Sequence, residues 1–164
     1  MTRPPTQFSR LLPMTDTVDA KDVPVLQLLD HINQEPCTFT NAKQEVISPS
    51  DCAQWVHGKW LAVYFTASWC RPCLAFTPVL TDFLTTHDTR VAGILVPFDK
   101  DPVKAAAYFA DKMRNMLSVH QDNVEPLAVA FGASSIPHLV FISPEGKVQR
   151  ADGRAIVSEG RTPW

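Results

Sequence analysis

Short apolar runs alternate along this chain with segments whose apolar residues lie three and four positions apart. The first pattern predicts buried strands and the second predicts amphipathic helices. The apolar runs cover residues 61–66, 91–98 and 138–142. Helical spacing covers residues 72–87, a segment opening at Asp101, and residues 125–131. This alternation predicts an α/β fold in which a central mixed β-sheet is flanked by helices on both faces.

Smaller elements are predicted at both ends of this core. Residues 23–32 carry helical spacing, residues 37–47 read as a small hairpin, and Ser50 begins a helical turn that ends at Gly58. Asp101 is the predicted N-cap of its helix, with Pro102 as the first helical residue. A turn at residues 144–146 predicts that residues 147–151 return as a second strand of a final hairpin.

The first 22 residues lack this periodicity and are rich in proline and threonine. This composition predicts a flexible N-terminal tail over residues 1–22 and one folded domain over residues 23–164. Arg3 and Arg10 precede the first acidic residue, Asp16, which is also a feature of mitochondrial transit segments. Both interpretations of the tail stay open at this point.

Composition excludes several classes of partner. The 164 residues carry a formal net charge of −2 without a basic block, so neither nucleic acid nor an anionic membrane is an expected partner. No apolar stretch approaches the roughly 18 residues that a membrane-spanning helix needs. The chain has four cysteines and no evident secretory signal, which favours a reducing compartment such as the cytoplasm.

The candidate chemistry lies in the run Trp69-Cys70-Arg71-Pro72-Cys73, between the strand at 61–66 and the helix at 72–87. Residues three apart on a helix have Cβ atoms about 5–6 Å apart, close to the spacing that a disulfide needs. A helix N-terminus also stabilises a thiolate, the reactive form of cysteine. The motif therefore predicts a redox-active dithiol, with Cys70 as the nucleophile and Cys73 as the resolving cysteine.

A metal site is the main alternative for this pair. Structural zinc needs four ligands, and Cys37 and Cys52 are isolated in sequence, so we expect neither a metal nor a cofactor. A metal or iron–sulfur site shared across a dimer stays open as a hypothesis. Cys37 and Cys52 are interpreted as small apolar fillers, with a peripheral regulatory disulfide as the alternative.

Several stretches of the chain resemble the thioredoxin superfamily, and within it the tryparedoxin and nucleoredoxin branch. The resemblance covers roughly residues 58–164. It rests on the run from Tyr64 to Cys70, on Ala75-Phe76-Thr77-Pro78 with Leu80, Asp82 and Phe83, on Phe98-Asp99, on Ser135-Ile136-Pro137, on Arg154 and on Pro163-Trp164. The chain departs from the branch at Arg71, where tryparedoxins have proline, and it has Tyr64 where ordinary thioredoxins have a buried acid.

The resemblance implies a thioredoxin-like fold and a thiol–disulfide oxidoreductase that reduces protein disulfides, such as those of peroxiredoxin-type peroxidases. It implies a low-molecular-weight dithiol donor, such as trypanothione or glutathione, and a monomeric protein. The alternative within the same branch is a redox-responsive interaction module of nucleoredoxin type with little turnover.

The resemblance also implies individual roles around the cysteine pair. Pro137 would follow a cis peptide bond and present the Ile136 backbone to a substrate segment. Trp69 would form an apolar lip beside the nucleophilic sulfur, and Arg154 would help to bind an anionic group of the substrate. Asp99 would tune Cys73 or act in proton transfer through water, with a solvated loop acid as the alternative.

Arg71 generates a prediction of its own. A positive charge beside Cys70 stabilises the thiolate and therefore the reduced form, unless the side chain points into solvent and is screened. Arg71→Pro is expected to raise the pKa of Cys70 and to make the reduction potential more negative. Thiol titration and equilibration with glutathione measure both quantities, and no change in either contradicts this role for Arg71.

Overall fold

A computed structural model of the chain describes residues 18–164. Within these residues, six strands form one sheet: β1 (Phe39–Thr40), β2 (Val46–Ile47), β3 (Trp60–Thr66), β4 (Val91–Pro97), β5 (Met116–Val119) and β6 (His138–Ile142). Their order across the sheet is β2-β1-β5-β4-β3-β6. The helices are α1 (Pro24–Asn33), α2 (Pro49–Val56), α3 (Arg71–Thr86), α4 (Pro102–Lys112), α5 (Val124–Ala130) and α6 (Gly153–Ser158).

The sheet is mixed, as the sequence predicts. Strands β3, β4 and β5 run parallel, whereas β6 pairs antiparallel with β3 and β1 pairs antiparallel with β5. The predicted hairpin at 37–47 is confirmed as the β1–β2 pair. Parallel neighbours place their carboxyl ends at one edge of the sheet, which is where open α/β sheets hold their functional sites.

Strand β3 is buried on both faces, and this explains its uninterrupted apolar sequence. Leu61, Val63 and Phe65 face a core that includes residues of α1, α2 and α5. Ala62 and Tyr64 face the opposite core, which includes residues of α3, α4 and α6. Helices therefore cover both faces of the sheet, which confirms the predicted architecture.

Side-chain caps fix the starts of most of the helices. The Asp101 side chain accepts a hydrogen bond from Val103 N, and Pro102 opens α4, as predicted. Helix α2 begins two residues earlier than predicted, because Ser48 rather than Ser50 accepts the capping bond from Asp51 N. Helix α3 begins at Arg71, with Pro72 in its first turn and Pro78 in its interior.

Two short elements of the structure were not predicted from the sequence. Strand β5 has four residues and helix α6 has six, too few for periodicity to identify either.

The predicted return strand at 147–151 does not form. In the described part of the chain it is reduced to an isolated bridge between Ile142 and Val148, because the Asp152 cap soon turns the backbone into α6. The outer side of β6 is therefore left partly unpaired.

The predicted tail at 1–22 falls largely outside the described residues, since residues 1–17 are not among them. Residues Ala20–Asp22 form a short 3-10 turn that is capped by Asp19, and Val23 beyond it is buried. Among residues 18–164, no helix combines the length and the apolar character needed to cross a membrane.

A close approach of α6 to β6 explains the glycine at the start of that helix. A Cβ atom built on Gly153 would lie 2.5 Å from the backbone oxygen of Leu139. Any larger residue must therefore push α6 away from the strand, and α6 carries Arg154.

We therefore expect Gly153→Ala to lower the free energy of unfolding by about 2 kcal/mol, a typical effect of overpacking against backbone. Ser158→Ala, at the exposed end of the same helix, is the control and is expected to stay within about 0.5 kcal/mol of the parent. Urea unfolding measures both variants. Equal stability of the two variants would contradict the close packing of α6 on β6.

Candidate redox-active site

Cys70 occupies the N-cap position of α3, directly beyond the carboxyl end of β3. Its backbone is extended, with φ −92° and ψ 109°, so that its side chain turns back toward the first turn of the helix. There Cys70 Sγ accepts a hydrogen bond from the backbone N–H of Cys73 at 3.3 Å. A sulfur in this position is favoured as the thiolate, because a helix N-terminus presents unpaired N–H groups and the positive end of the helix dipole.

Cys70 and Cys73 are joined by a disulfide, with Cα atoms 5.2 Å apart. Cys70 is 6% exposed and Cys73 is fully buried. The order of exposure is the one predicted for a nucleophile and a resolving cysteine, since an incoming disulfide must reach the first sulfur and not the second. The two cysteines form a small buried cluster with Ala67, and Phe98 and Ile136 pack against this cluster.

The loop before β6 closes the site from the opposite side. Strand pairing places His138 beside Phe65. The residues just before His138 therefore lie next to the carboxyl end of β3, and Cys70 follows that end of the strand. The Ile136–Pro137 peptide bond is cis, as the resemblance implies. The Ile136 carbonyl oxygen lies 3.7 Å from Cys70 Sγ. Sheet register therefore brings together two segments that lie more than sixty residues apart.

Asp99 is buried rather than solvated, so the solvated-acid interpretation is wrong. Only 7% of the residue is exposed, and its carboxylate accepts hydrogen bonds from the backbone N–H of Ser68, at 3.0 Å, and from the Ser68 hydroxyl. These bonds hold the loop that precedes Cys70. Ser68 was not predicted as the partner of Asp99. The position of Ser68, two residues before Cys70, was the one sequence feature that placed it near the site. A modulating role for Asp99 stays a prediction.

The remaining predicted residues lie around the rim of the site. Trp69 is 67% exposed beside Cys70, and Arg71 is exposed at the first position of α3. The Arg154 guanidinium donates a hydrogen bond to the Pro137 carbonyl oxygen at 3.3 Å and lies 5.7 Å from the centre of the Phe76 ring. Arg154 is therefore attached to the same loop that faces the nucleophile.

A groove of about 930 Å³ lies along the outer side of β6. Its walls include Ser135, Pro137 and Leu139 from the loop and strand, together with Asp152 and Arg154 from the start of α6. Residues 148–151, which lie in the segment predicted as a return strand, also line this groove. It reaches Pro137 but is not lined by either cysteine of the pair.

A set of buried hydroxyl groups lies beneath Cys73, in the region where Tyr64 replaces the acid of ordinary thioredoxins. Thr77 contacts the hydroxyls of both Tyr64 and Tyr108, and Tyr108 also contacts Thr66. Burial is the main cause that raises the pKa of Tyr64 to about 12. Tyr64, Thr66 and Thr77 belong to the stretches that carry the family resemblance, whereas no sequence pattern indicates their contact with Tyr108.

Cys37 and Cys52 are free thiols that lie away from this site, against α1 and within α2. Burial is the main cause that raises the pKa of each thiol to about 12, and the nearby Asp30 carboxylate adds to the effect. Within residues 18–164, no group of three or more histidine, cysteine, aspartate or glutamate side chains is placed to hold a metal ion.

A disulfide-bonded cysteine pair at a helix N-terminus, facing a cis-proline loop on a mixed sheet, is the arrangement of a thioredoxin-like protein. A family model described as thioredoxin-like matches residues 58–148, more than half of the chain. The chain belongs to this thioredoxin-like family.

Relatives of the chain include a tryparedoxin and several nucleoredoxins. Tryparedoxin of Trypanosoma brucei brucei is 32% identical over 115 residues, covering 65% of this chain and 80% of the relative. A probable nucleoredoxin 3 of Oryza sativa is 30% identical over 108 residues, covering 63% of this chain. The chain spans 23% of the length of that nucleoredoxin.

Solved structures agree with this assignment. Tryparedoxin II of C. fasciculata superposes with a TM-score of 0.69 at 26% identity, over 82% of this chain and 89% of that chain. A thioredoxin of Wuchereria bancrofti gives a TM-score of 0.67 at 29% identity, over 77% and 88%. Another structure of tryparedoxin II, at a TM-score of 0.69, holds glutathionylspermidine.

The raised pKa values of Cys37 and Cys52 predict that neither thiol reacts in the folded protein. With a pKa of about 12, only about 10⁻⁴ of each thiol is ionised at pH 8. The oxidised native protein is therefore expected to show almost no fast-reacting thiol, and two thiols after unfolding in guanidinium chloride. Absence of thiols after unfolding would instead reveal a Cys37–Cys52 disulfide, and prompt reaction of the native protein would contradict the raised pKa values of the two thiols.

Proposed function

We propose that the protein is a thiol–disulfide oxidoreductase that reduces protein disulfides, with peroxiredoxin-type peroxidases as a substrate class. The observation that carries the proposal is the position of Cys70, whose sulfur caps α3 and is paired with Cys73 in a disulfide. The cis-proline loop beside it and the tryparedoxin relative point to the same chemistry.

The reaction follows from the two sulfurs. In the reduced protein, the Cys70 thiolate attacks one sulfur of a substrate disulfide, forms a mixed disulfide and releases the first substrate thiolate. Cys73 then loses its proton to solvent and attacks Cys70 Sγ, which releases the second substrate thiolate and forms the Cys70–Cys73 disulfide. The substrate gains two electrons and the cysteine pair loses two. A dithiol donor restores the pair by the same exchange in reverse.

The loop before β6 supplies the binding surface for this exchange. The Ile136 carbonyl lies beside Cys70 Sγ, where the backbone of an extended substrate segment can pair with it as an added strand. Exposed Trp69 adds apolar contact area on the other side of the nucleophile. Arg154, held against Pro137, supplies a positive charge for an anionic group of the substrate or donor.

A low-molecular-weight dithiol such as trypanothione is the donor that we propose, with glutathione as the second candidate. The complex of tryparedoxin II with glutathionylspermidine supports this chemical class. We further propose that the protein acts as a monomer in the cytoplasm, with mitochondria as the alternative compartment. The two free thiols, Cys37 and Cys52, support a reducing environment.

A second candidate is an interaction module of nucleoredoxin type, in which the redox state of the cysteine pair controls binding with little turnover. Two observations favour it: the nucleoredoxin relatives and the exposure of Trp69 beside the disulfide. A change in Trp69 fluorescence and thermal stability on reduction, without appreciable turnover, would select this candidate over the reductase.

Turnover assays with insulin and with a peroxiredoxin test the proposal, using dithiothreitol or trypanothione as donor. The parent protein is expected to accelerate both reactions, and Cys70→Ser is expected to return the rate to the uncatalysed background, because it removes the nucleophile. Cys37→Ser is the matched control, since that cysteine lies away from the site, and it is expected to keep the parent rate. Undiminished activity of Cys70→Ser would refute the proposal.

A further inference from the structure

The buried hydroxyls beneath Cys73 form a continuous chain. Thr66 Oγ1 lies 2.9 Å from the Tyr108 hydroxyl, which lies 2.7 Å from Thr77 Oγ1. Thr77 Oγ1 also lies 2.8 Å from the Tyr64 hydroxyl and 2.8 Å from the Cys73 carbonyl oxygen. All four side chains belong to buried residues, so water does not replace these contacts.

The Cys73 carbonyl oxygen is the end point of this chain. A carbonyl oxygen only accepts, so Thr77 donates its proton to Cys73. Thr77 Oγ1 then accepts from the Tyr108 hydroxyl. The Tyr64 hydroxyl lies close to Thr77 Oγ1 and 3.3 Å from the Cys73 carbonyl, to which it also donates. Donation from both sides of the chain therefore converges on the Cys73 carbonyl.

The chain ties the resolving cysteine to three other parts of the fold. Tyr64 and Thr66 lie on β3, Tyr108 lies on α4, and Thr77 lies one turn after Cys73 on α3. Removal of the Thr77 hydroxyl would take the acceptor on α3 away from the buried Tyr108 hydroxyl and leave the Cys73 carbonyl with only the longer of its two hydroxyl contacts, that to Tyr64. The loss of partners by buried polar groups is costly. The hydroxyls contact the backbone of Cys73 and not its sulfur, so the chain acts on the position of that residue.

We propose that Thr77 is a positioning residue that, through this hydroxyl chain, holds Cys73 in place for its attack on the mixed disulfide. The inference rests on the proposed function and concerns its second step. In that step the Cys73 thiolate bonds to Cys70 Sγ, the bond between Cys70 and the substrate sulfur breaks, and the substrate sulfur leaves with the electron pair. The rate depends on how precisely Cys73 is held, because the reaction is intramolecular.

Reaction of the reduced protein with one equivalent of dithionitrobenzoate separates the two steps. Attack by Cys70 releases one coloured thionitrobenzoate, and attack by Cys73 on the mixed disulfide releases a second. Thr77→Val keeps the shape of the side chain and removes its hydroxyl. We expect it to slow the second release about tenfold and to leave the first unchanged, while Thr77→Ser, which restores the hydroxyl, stays within about twofold of the parent.

Thr85→Val is the matched control on the same helix. Thr85 Oγ1 also donates to a carbonyl oxygen four residues earlier, that of Thr81 at 2.9 Å, but this residue is exposed and lies away from the cysteines. Thr85→Val is expected to release both equivalents at the parent rates.

The outcomes distinguish this inference from the proposed function. A second release as fast in Thr77→Val as in Thr85→Val, or an equal slowing of both releases, overturns the role of Thr77. If Thr77→Val does not fold, Tyr108→Phe removes one donor of the chain and is expected to slow the second release about threefold, and parent kinetics in that variant overturn the inference. A parent protein that releases no second equivalent overturns the proposed function as well.

Discussion

The hydrogen bond from the Cys73 N–H to Cys70 Sγ is the interaction on which the rest of the account depends. It exists because Cys70 is the N-cap of α3, and the helix begins there because β3 ends at Thr66 and Pro72 favours the first turn. One sulfur is thereby placed among the unpaired N–H groups of a helix start, and its partner is buried one turn further on. Reactivity and pairing follow from the same local geometry.

The local motif provides the cysteine pair, and the topology of the sheet provides the loop that faces it. The antiparallel pairing of β6 with β3 sets the Ile136–Pro137 loop against the nucleophile. The close approach of α6 to β6 at Gly153 then places Arg154 on that loop, because only a residue without a side chain lets the helix come so near. The site is thus assembled from one local segment and two distant ones, each positioned by backbone packing.

The sequence predicts the parts of this structure that depend on strong local signals. The apolar runs identify β3, β4 and β6, and the C-x-x-C spacing with Pro72 identifies the helix start and the cysteine pair. Short elements such as β5 and α6 carry too few residues for a period to be visible, and the return strand was predicted from turn chemistry that does not fix pairing beyond the turn. The Asp99–Ser68 contact and the hydroxyl chain join residues that are 31 and 42 positions apart. They therefore depend on the pairing of β3 with β4 and on the packing of α4 against the sheet.

The central claim is that Cys70 and Cys73 exchange electrons reversibly by making and breaking a bond to each other. Its most direct test is equilibration of the protein with glutathione buffers of graded potential, followed by alkylation and mass spectrometry of the peptide that contains both cysteines. If the two sulfurs exchange electrons in this way, both thiols disappear together in one two-electron transition. Two thiols that stay free under oxidising conditions, or that titrate independently of each other, would contradict it.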